Sequence, residues 1–360
     1  MYGVWYKRTL TVTEEQLAGL VRLHFGAVDY KCTVYVNEKL VGSHSGGYVS
    51  FYFDIAEYLV AGENTITVFA EDDTRDPLIP RGKQSELYHS HGCDYTRTTG
   101  IWQTVWVEFL PIVHLESFRV YPDAVNGKAT LVVQLRGAAA LTVKASYEGK
   151  PMGKATVNCL GGHETIVLDL LEKHLWEVGQ GRLYDLELTY GDDVVHSYFG
   201  LRTVSLDGGL FRLNGKVVFQ RLVLDQGFYP DGIWTAPSDA ALKQDIELSL
   251  QAGFNGARLH QKVFEERFHY WADKLGYLTW GEAPSWGFDA NNVESARNFI
   301  AEWRNVVVRD MNHPSIVTWT PFNEQFWPDE TQYPRFIVDA YTIPKQLDPS
   351  RPVNTVSGGQ

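Results

Sequence analysis

The hydrophobic pattern changes near residue 205, and this change restricts the folds open to the chain more than any other feature of the sequence. Before it, short β-rich runs, such as 21–25 and 65–70, are separated by turns that contain Asn and Gly. After it, apolar runs of strand length alternate with stretches of helical spacing. Strands separated by helices imply right-handed βαβ units and a parallel sheet. The sequence therefore predicts β-domains followed by an α/β domain.

The β-rich part divides near Pro111 into two patterns. Residues 1–112 carry several short strands at a spacing typical of a β-sandwich. Residues 113–204 alternate more regularly, as at Leu131, Val133 and Leu135. Roughly 90 residues with this alternation suit an immunoglobulin-like sandwich. We therefore expect two β-sandwich domains before the α/β domain of residues 205–360.

The last part of the chain predicts strands and helices in alternation. The expected strands lie at 217–224, 256–259, 277–281, 316–321 and 352–356. Ser238 is a predicted helix N-cap, and Gly253 and Gly276 are predicted helix stops. A fourth helix is expected to be disturbed by Pro344. This order is that of a parallel α/β barrel of which about five strands are present.

Functional residues of such a barrel lie where strands end and the following loops begin. The residues selected by this rule are Asp225, Arg258, His260, Glu282, Trp286, Asn323, Glu324 and Trp327. Together they offer carboxylates for proton exchange, an amide for hydroxyl groups and indoles for stacking on sugar faces. The mixture suits binding and cleavage of a polyhydroxylated ligand.

Each candidate also has a structural alternative. Arg258 could pair with a barrel carboxylate, and His260 could be a satisfied polar residue. Asp225 could cap its own loop, and an isolated Glu at a strand end is often only solvated. Trp280 and Trp319 lie within predicted strands and are expected in the core.

Composition excludes several other classes. The 32 basic and 44 acidic residues give a net charge of −12 without a basic cluster, which argues against nucleic-acid binding. No apolar run approaches about 20 residues, so no membrane span is predicted. Nucleotide-binding glycine motifs, HExxH, CxxC and GxSxG are absent from the sequence. Three scattered cysteines suggest neither a disulfide framework nor a zinc site. Together with the absence of a signal peptide, they favour a cytoplasmic protein.

Several segments together resemble glycoside hydrolase family 2, which contains β-galactosidases, β-glucuronidases and β-mannosidases. In the first domain these are VYVNEKLVGSHSGGYVSFYFDI (34–55) and TTGIWQTVWVE (98–108). Before the barrel they are SYFGLRTV (197–204) and FRLNGKVVF (211–219), and within it GFNGARLH (253–260) and NHPSIVTWTPFNE (312–324). The resemblance implies a jelly-roll-like β-sandwich, an immunoglobulin-like β-sandwich and an incomplete (β/α)8 barrel.

The resemblance also implies roles for the candidate residues. Glu324 would be the general acid/base, Asn323 would bind the sugar 2-hydroxyl, and Arg258 would support the nucleophile. His260, Glu282 and Trp327 would line the sugar subsite. The implied activity is hydrolysis of a terminal, β-galactoside-like sugar with retention, without a required cofactor; the use of a cation and a homo-oligomeric state stay open.

Two departures from the family pattern qualify this expectation. The end of the first barrel strand reads QRLVLDQGFYPDG (220–232), so Asp225 and Gln226 replace the family's usual polar contacts. The family's nucleophile is a Glu at the seventh strand, and the sequence ends just after the fifth. We therefore expect this chain alone to be nearly inactive. A non-catalytic carbohydrate-binding protein and a half-enzyme completed by another chain are the alternatives, which the reading frame after Gln360 would discriminate.

Overall fold

The first part of the computed structural model is a β-sandwich; the model describes residues 3–325 and 335–358 of the chain. In its two antiparallel sheets the strands lie in the orders β1-β7-β4-β5 and β6-β2-β9, and β3 and β8 form a further short pair. Short 3-10 turns lie at Gln16–Ala18 and Ala56–Tyr58. The strands are β1 (Gly3–Val12), β2 (Leu20–Phe25), β3 (Val28–Asp29), β4 (Lys31–Val36), β5 (Lys39–Ser45), β6 (Phe51–Asp54), β7 (Gly62–Glu71), β8 (Gly100–Ile101) and β9 (Val105–Leu110).

The second part is an immunoglobulin-like sandwich whose sheets order as β10-β11-β14 and β13-β12-β15-β16. Alternate residues such as Leu131, Val133 and Leu135 are buried between these sheets, as the sequence pattern predicts. The strands are β10 (His114–Asp123), β11 (Lys128–Arg136), β12 (Ala139–Tyr147), β13 (Lys150–Cys159), β14 (Gly162–Asp169), β15 (Tyr184–Tyr190) and β16 (Asp193–Phe199).

The predicted first barrel strand at 217–224 is wrong in its bounds. A small antiparallel sheet, β17 (Val204–Asp207), β18 (Leu210–Leu213) and β19 (Lys216–Val217), takes the beginning of this segment. The barrel strand β20 (Leu222–Asp225) follows it. The apolar run hides this division because hydrophobicity does not distinguish one strand from two.

The barrel part contains a parallel sheet of β20, β21 (Gly256–Leu259), β22 (Leu278–Glu282) and β23 (Ile316–Thr320). A parallel pair, β24 (Phe322–Asn323) and β25 (Val356–Ser357), continues past it. The helices are α1 (Asp239–Gln251), α2 (Glu266–Leu275), α3 (Val293–Asp310) and α4 (Phe336–Leu347), which contains Pro344. Among the described residues, none of the helices has the length and apolarity to cross a membrane.

The helix ends follow the sequence signals. The Ser238 side chain accepts a hydrogen bond from the Ala241 amide, 3.1 Å away, and so caps α1. Gly276 ends α2 with φ +66°, a left-handed conformation that glycine adopts without steric cost. Helix α1 ends at the Ala252 C-cap, and Gly253 follows it with φ +91°, as the sequence signal predicts. Trp319 is buried as predicted, whereas Trp280 is only half-buried and donates to Gln220.

The first sandwich and the barrel share one hydrophobic core. Trp102 of the sandwich packs edge-to-face against Trp234, at 5.1 Å between ring centroids, and Tyr48 lies 5.3 Å from the same ring. These residues belong to one buried cluster with Trp303 of α3. Trp234 lies in the loop between β20 and α1, so the sandwich helps to hold a loop at the carboxyl edge of the barrel sheet.

A buried carboxylate forms a hydrogen bond across the same interface. Glu302 of α3 accepts a hydrogen bond from the Tyr48 amide, 2.8 Å away in the sandwich. Burial raises the pKa of Glu302 from 4.5 to about 7. The group therefore binds a proton more tightly in the folded protein than in the unfolded chain.

We expect Glu302→Gln to reduce the fall in stability at alkaline pH. The contribution of Glu302 is complete below its unfolded pKa of 4.5 and is lost as pH rises through about 7. The loss amounts to about 3 kcal/mol, at about 1.4 kcal/mol per pKa unit. Urea unfolding at about pH 4 and about pH 8 should show a smaller difference in the free energy of unfolding between the two pH values for Glu302→Gln than for the wild type. Glu294→Gln, on the exposed first turn of the same helix, is the control and should behave as the wild type.

Candidate active site

Parallel pairing brings polar residues together at the carboxyl edge of the barrel sheet. Arg258 of β21 pairs in register with Leu224 of β20 and Trp280 of β22. Residues at the same register position of parallel strands point to the same face. Arg258, Trp280 and, two residues later, Glu282 therefore share the inner face of the sheet.

Glu282 is the centre of this polar cluster. Its side chain is fully buried, and Oε2 accepts a hydrogen bond from Arg258 Nε at 2.5 Å. Oε1 lies 2.8 Å from His260 Nδ1 and accepts the Gln261 amide at 3.1 Å. Both carboxylate oxygens are thus engaged by neighbouring groups, as a buried charge requires. The structure shows that Arg258 pairs with a barrel carboxylate.

Arg258 also connects Glu282 to the end of β24. Its Nη2 donates to Asn323 Oδ1 at 2.7 Å, and its Nη1 donates to Ser357 Oγ at 2.6 Å. The Asn323 amide nitrogen of the backbone donates to Ser285 Oγ at 3.0 Å. The guanidinium therefore holds the Asn323 side-chain oxygen, Ser357 and Glu282 at the same edge of the sheet.

Glu324 follows Asn323 in an uncommon backbone conformation. Its φ is +47°, in the left-handed region, and its amide donates to the Ser357 carbonyl at 2.8 Å. The residue is exposed, in contrast to the buried Glu282. A Cβ at Gly358 would lie 3.3 Å from Glu324 Cγ, so the glycine leaves room for this side chain. Strained backbone of this kind clusters at functional sites.

Trp286 closes one side of the cluster. Its Nε1 donates to the Asn323 carbonyl at 3.0 Å. Gln261 Oε1 accepts the backbone amides of Ser285 and Trp286 at 2.9 and 3.1 Å. Gln261 and Ser285 are buried and hold the loop after β22 against the strand ends. Sequence reasoning did not select them, although both adjoin selected positions.

The first sandwich contributes a side chain to this region. Lys83 Nζ lies 3.4 Å from the centre of the Trp286 ring, in cation–π geometry. The Arg81 amide donates to the Trp286 carbonyl at 2.8 Å, which anchors the sandwich loop on the barrel. No signal in the barrel sequence could have found Lys83, because it precedes Trp286 by about two hundred residues and belongs to another domain.

The structure does not bring Asp225 into the cluster. Asp225 pairs with the buried Leu259, so it faces the helix layer and not the inner face occupied by Arg258. Its Oδ1 accepts the Gly227 amide at 2.9 Å, and burial raises the pKa of this carboxyl. Asp225 therefore caps its own loop, which was the structural alternative. Trp327 lies outside the described residues.

A buried lysine braces the same loop. Lys262 Nζ donates to the carbonyls of Gly227 and Trp234 at 2.6 and 2.8 Å. Burial lowers the pKa of Lys262 to about 8.

Among the described residues, the groups of His, Asp and Glu side chains that could hold a metal ion do not include Arg258, Glu282 or Asn323.

Family models identify the class of protein that this fold and site define. Residues 2–109 match the sugar binding domain of glycosyl hydrolases family 2, residues 113–202 match the model named glycosyl hydrolases family 2, and residues 235–360 match the family's TIM barrel domain. The chain belongs to this family. The predicted family and three-part fold, with a partial barrel, are thereby confirmed.

Individual relatives carry more than one activity name. A putative β-glucuronidase of Formosa agariphila is 28% identical over 97% of this chain and 44% of its own length. A β-galactosidase of Thermoanaerobacter pseudethanolicus is 26% identical over 98% of this chain and 48% of its own length. This chain thus spans about half the length of these curated relatives.

Solved structures show the same fold. The β-glucuronidase of Ruminococcus gnavus in complex with D-glucuronic acid superposes with a TM-score of 0.85 at 22% identity, over 98% of this chain and 63% of that one. The Lactobacillus rhamnosus β-glucuronidase superposes with a TM-score of 0.83 at 25% identity, over 98% of this chain and 62% of that one. The arrangement of two sandwiches on a barrel is therefore common to these proteins.

Proposed function

We propose that this chain forms the acid/base half of a retaining β-glycosidase that removes a terminal β-linked sugar. The observation that carries the proposal is the Asn323–Glu324 pair at the end of β24, held by Arg258 and Glu282. Names of family members support a β-glycoside as substrate but divide between β-glucuronidase and β-galactosidase. A β-galactoside-like sugar is the expectation from sequence.

In the proposed mechanism Glu324 acts twice. As a carboxylic acid it protonates the glycosidic oxygen while the bond to the anomeric carbon breaks, and as a carboxylate it later removes a proton from the attacking water. Asn323 donates to the sugar 2-hydroxyl, an interaction that strengthens in the transition state. The exposure of Glu324 gives it access to both the leaving group and water.

Retention also needs a nucleophilic carboxylate about 5–5.5 Å from the acid/base group. Glu282 does not suit this role, since Arg258, His260 and the Gln261 amide already occupy its oxygens. We propose that it positions Arg258 and Asn323 instead. The family resemblance implies a nucleophilic Glu at a seventh barrel strand, and we propose that such a strand, from this protein or from another chain, supplies it.

The test is a substrate panel with the product of the complete reading frame that contains this chain. We expect hydrolysis of 4-nitrophenyl β-D-galactoside or β-D-glucuronide, with the β-anomer of the released sugar appearing first by NMR. Release of the α-anomer first would refute retention. Sugar binding without turnover of any β-glycoside would refute the enzyme and support the carbohydrate-binding alternative.

A further inference from the structure

The geometry points to a divalent transition-metal site formed by Glu86, His91 and Asp94 in the sandwich loop that contacts Trp286. The loop lies between β7 and β8, outside the catalytic cluster. One ligand atom from each of the three side chains lies within 4.8 Å of the other two. The site is independent of the proposed glycosidase mechanism, because it uses none of the barrel residues.

The spacing of His91 and Glu86 fits a tetrahedral ion, and Asp94 lies somewhat farther from His91. His91 Nε2 lies 3.3 Å from Glu86 Oε1 and 3.8 Å from Asp94 Oδ2. Ligands about 2.0–2.1 Å from a tetrahedral Zn²⁺ are about 3.3–3.4 Å from each other. Imidazole with carboxylates suits such ions, whereas Ca²⁺ and Mg²⁺ prefer oxygen ligands alone. The three side chains leave a fourth position for water.

The hydrogen bonds of Ser85 determine which nitrogen of His91 carries the proton. The Ser85 hydroxyl donates to the His89 carbonyl at 2.8 Å. Its oxygen must therefore accept the contact with His91 Nδ1, which is 3.1 Å away. In the neutral imidazole Nδ1 is then the protonated nitrogen, and Nε2 presents a lone pair.

This lone pair faces two carboxylate oxygens, which repel it unless a cation lies between them. The distances of 3.3 and 3.8 Å from Nε2 to these oxygens exceed the length of a charge-assisted hydrogen bond, about 2.7–2.9 Å. A metal ion at the centre would satisfy all three atoms at once. The distances therefore leave room for an ion between the three ligand atoms.

Arg81 supports the cluster from outside. It contacts the other oxygen of each carboxylate, Glu86 Oε2 at 3.2 Å and Asp94 Oδ1 at 3.3 Å. Such outer contacts orient the ligands of metal sites. The two carboxylates and the guanidinium sum to −1, so a divalent cation is attracted. Because the Arg81 amide is bonded to Trp286, an ion here would also order the loop on the barrel.

Calorimetric titration of the purified chain with ZnCl₂ tests the site. We expect one saturable site that His91→Ala removes and Asp94→Asn weakens at least tenfold. His89→Ala is the matched control, since His89 lies in the same loop with its ring 6.4 Å from that of His91, and it should bind as the wild type. Circular dichroism confirms that the variants fold.

Two further measurements test the proposed metal site. Co²⁺ should give the visible absorption of a tetrahedral complex, and Zn²⁺ should slow tryptic cleavage at Arg97 in the wild type but not in His91→Ala. Cys93→Ser should bind normally, because Cys93 Sγ faces Lys83 Nζ at 3.5 Å. Absence of saturable binding, equal binding in His91→Ala, or loss in Cys93→Ser would overturn the assignment.

Discussion

Glu324→Gln should lower kcat/KM on an alkyl β-glycoside by about 10²–10⁴-fold, the usual contribution of a general acid/base. The amide is of similar size but neither protonates the leaving oxygen nor deprotonates water. The loss should be smaller for a 4-nitrophenyl glycoside, because a good leaving group needs little protonation. The assay uses the product of the complete reading frame, with steady-state kinetics on both substrates.

The control for this experiment is a carboxylate on the outer layer of the same barrel. Glu247 of α1 pairs with Lys243 on that layer, so Glu247→Gln should retain wild-type kinetics. An equal loss on both leaving groups would contradict acid catalysis by Glu324. Addition of azide should restore turnover of the aryl glycoside in Glu324→Gln, since this anion attacks without deprotonation.

Asp273→Asn should cost about 3–5 kcal/mol of stability, as expected when one partner of a buried ion pair is removed. Asp273 is fully buried and accepts His313 Nδ1 at 2.6 Å, the Tyr198 hydroxyl at 2.9 Å and the Ser315 amide at 2.9 Å. Its charge raises the pKa of His313 against the effect of burial. Tyr198 belongs to the immunoglobulin-like sandwich, so the loss also weakens that domain's attachment to the barrel.

Urea unfolding of Asp273→Asn measures this loss. Asp239→Asn is the control, because Asp239 and its partner Arg267 are both about half exposed, and exposed ion pairs contribute little. The control should unfold at the wild-type midpoint. A midpoint for Asp273→Asn equal to that of the control would show that the buried pair does not hold the two domains together.

The strand ends were predictable from sequence because hydrophobic spacing and parallel pairing determine which residues reach one edge. Arg258, Glu282 and Asn323 meet there for this reason. The face of the sheet to which Asp225 points was not predictable, because the run 217–224 contains a break between β19 and β20 that its hydrophobicity does not indicate. An error of one residue in a strand's register reverses the face on which a side chain lies.

Sequence patterns also could not predict the contacts between domains. Lys83 reaches Trp286 only through the docking of the sandwich on the barrel, which periodicity along either segment does not encode. The left-handed conformation of Glu324 is likewise invisible in the motif. Such features arise from tertiary packing, which overrides local preference at functional sites.

The packing of Trp234 on Trp102 and Tyr48 makes the shape of the loop after β20 depend on another domain. Sandwich side chains pack against the loop after β20, so a substitution in the sandwich can reposition this loop while every barrel residue stays the same. Grafting this barrel onto a foreign sandwich should therefore change the conformation of this loop along with its support.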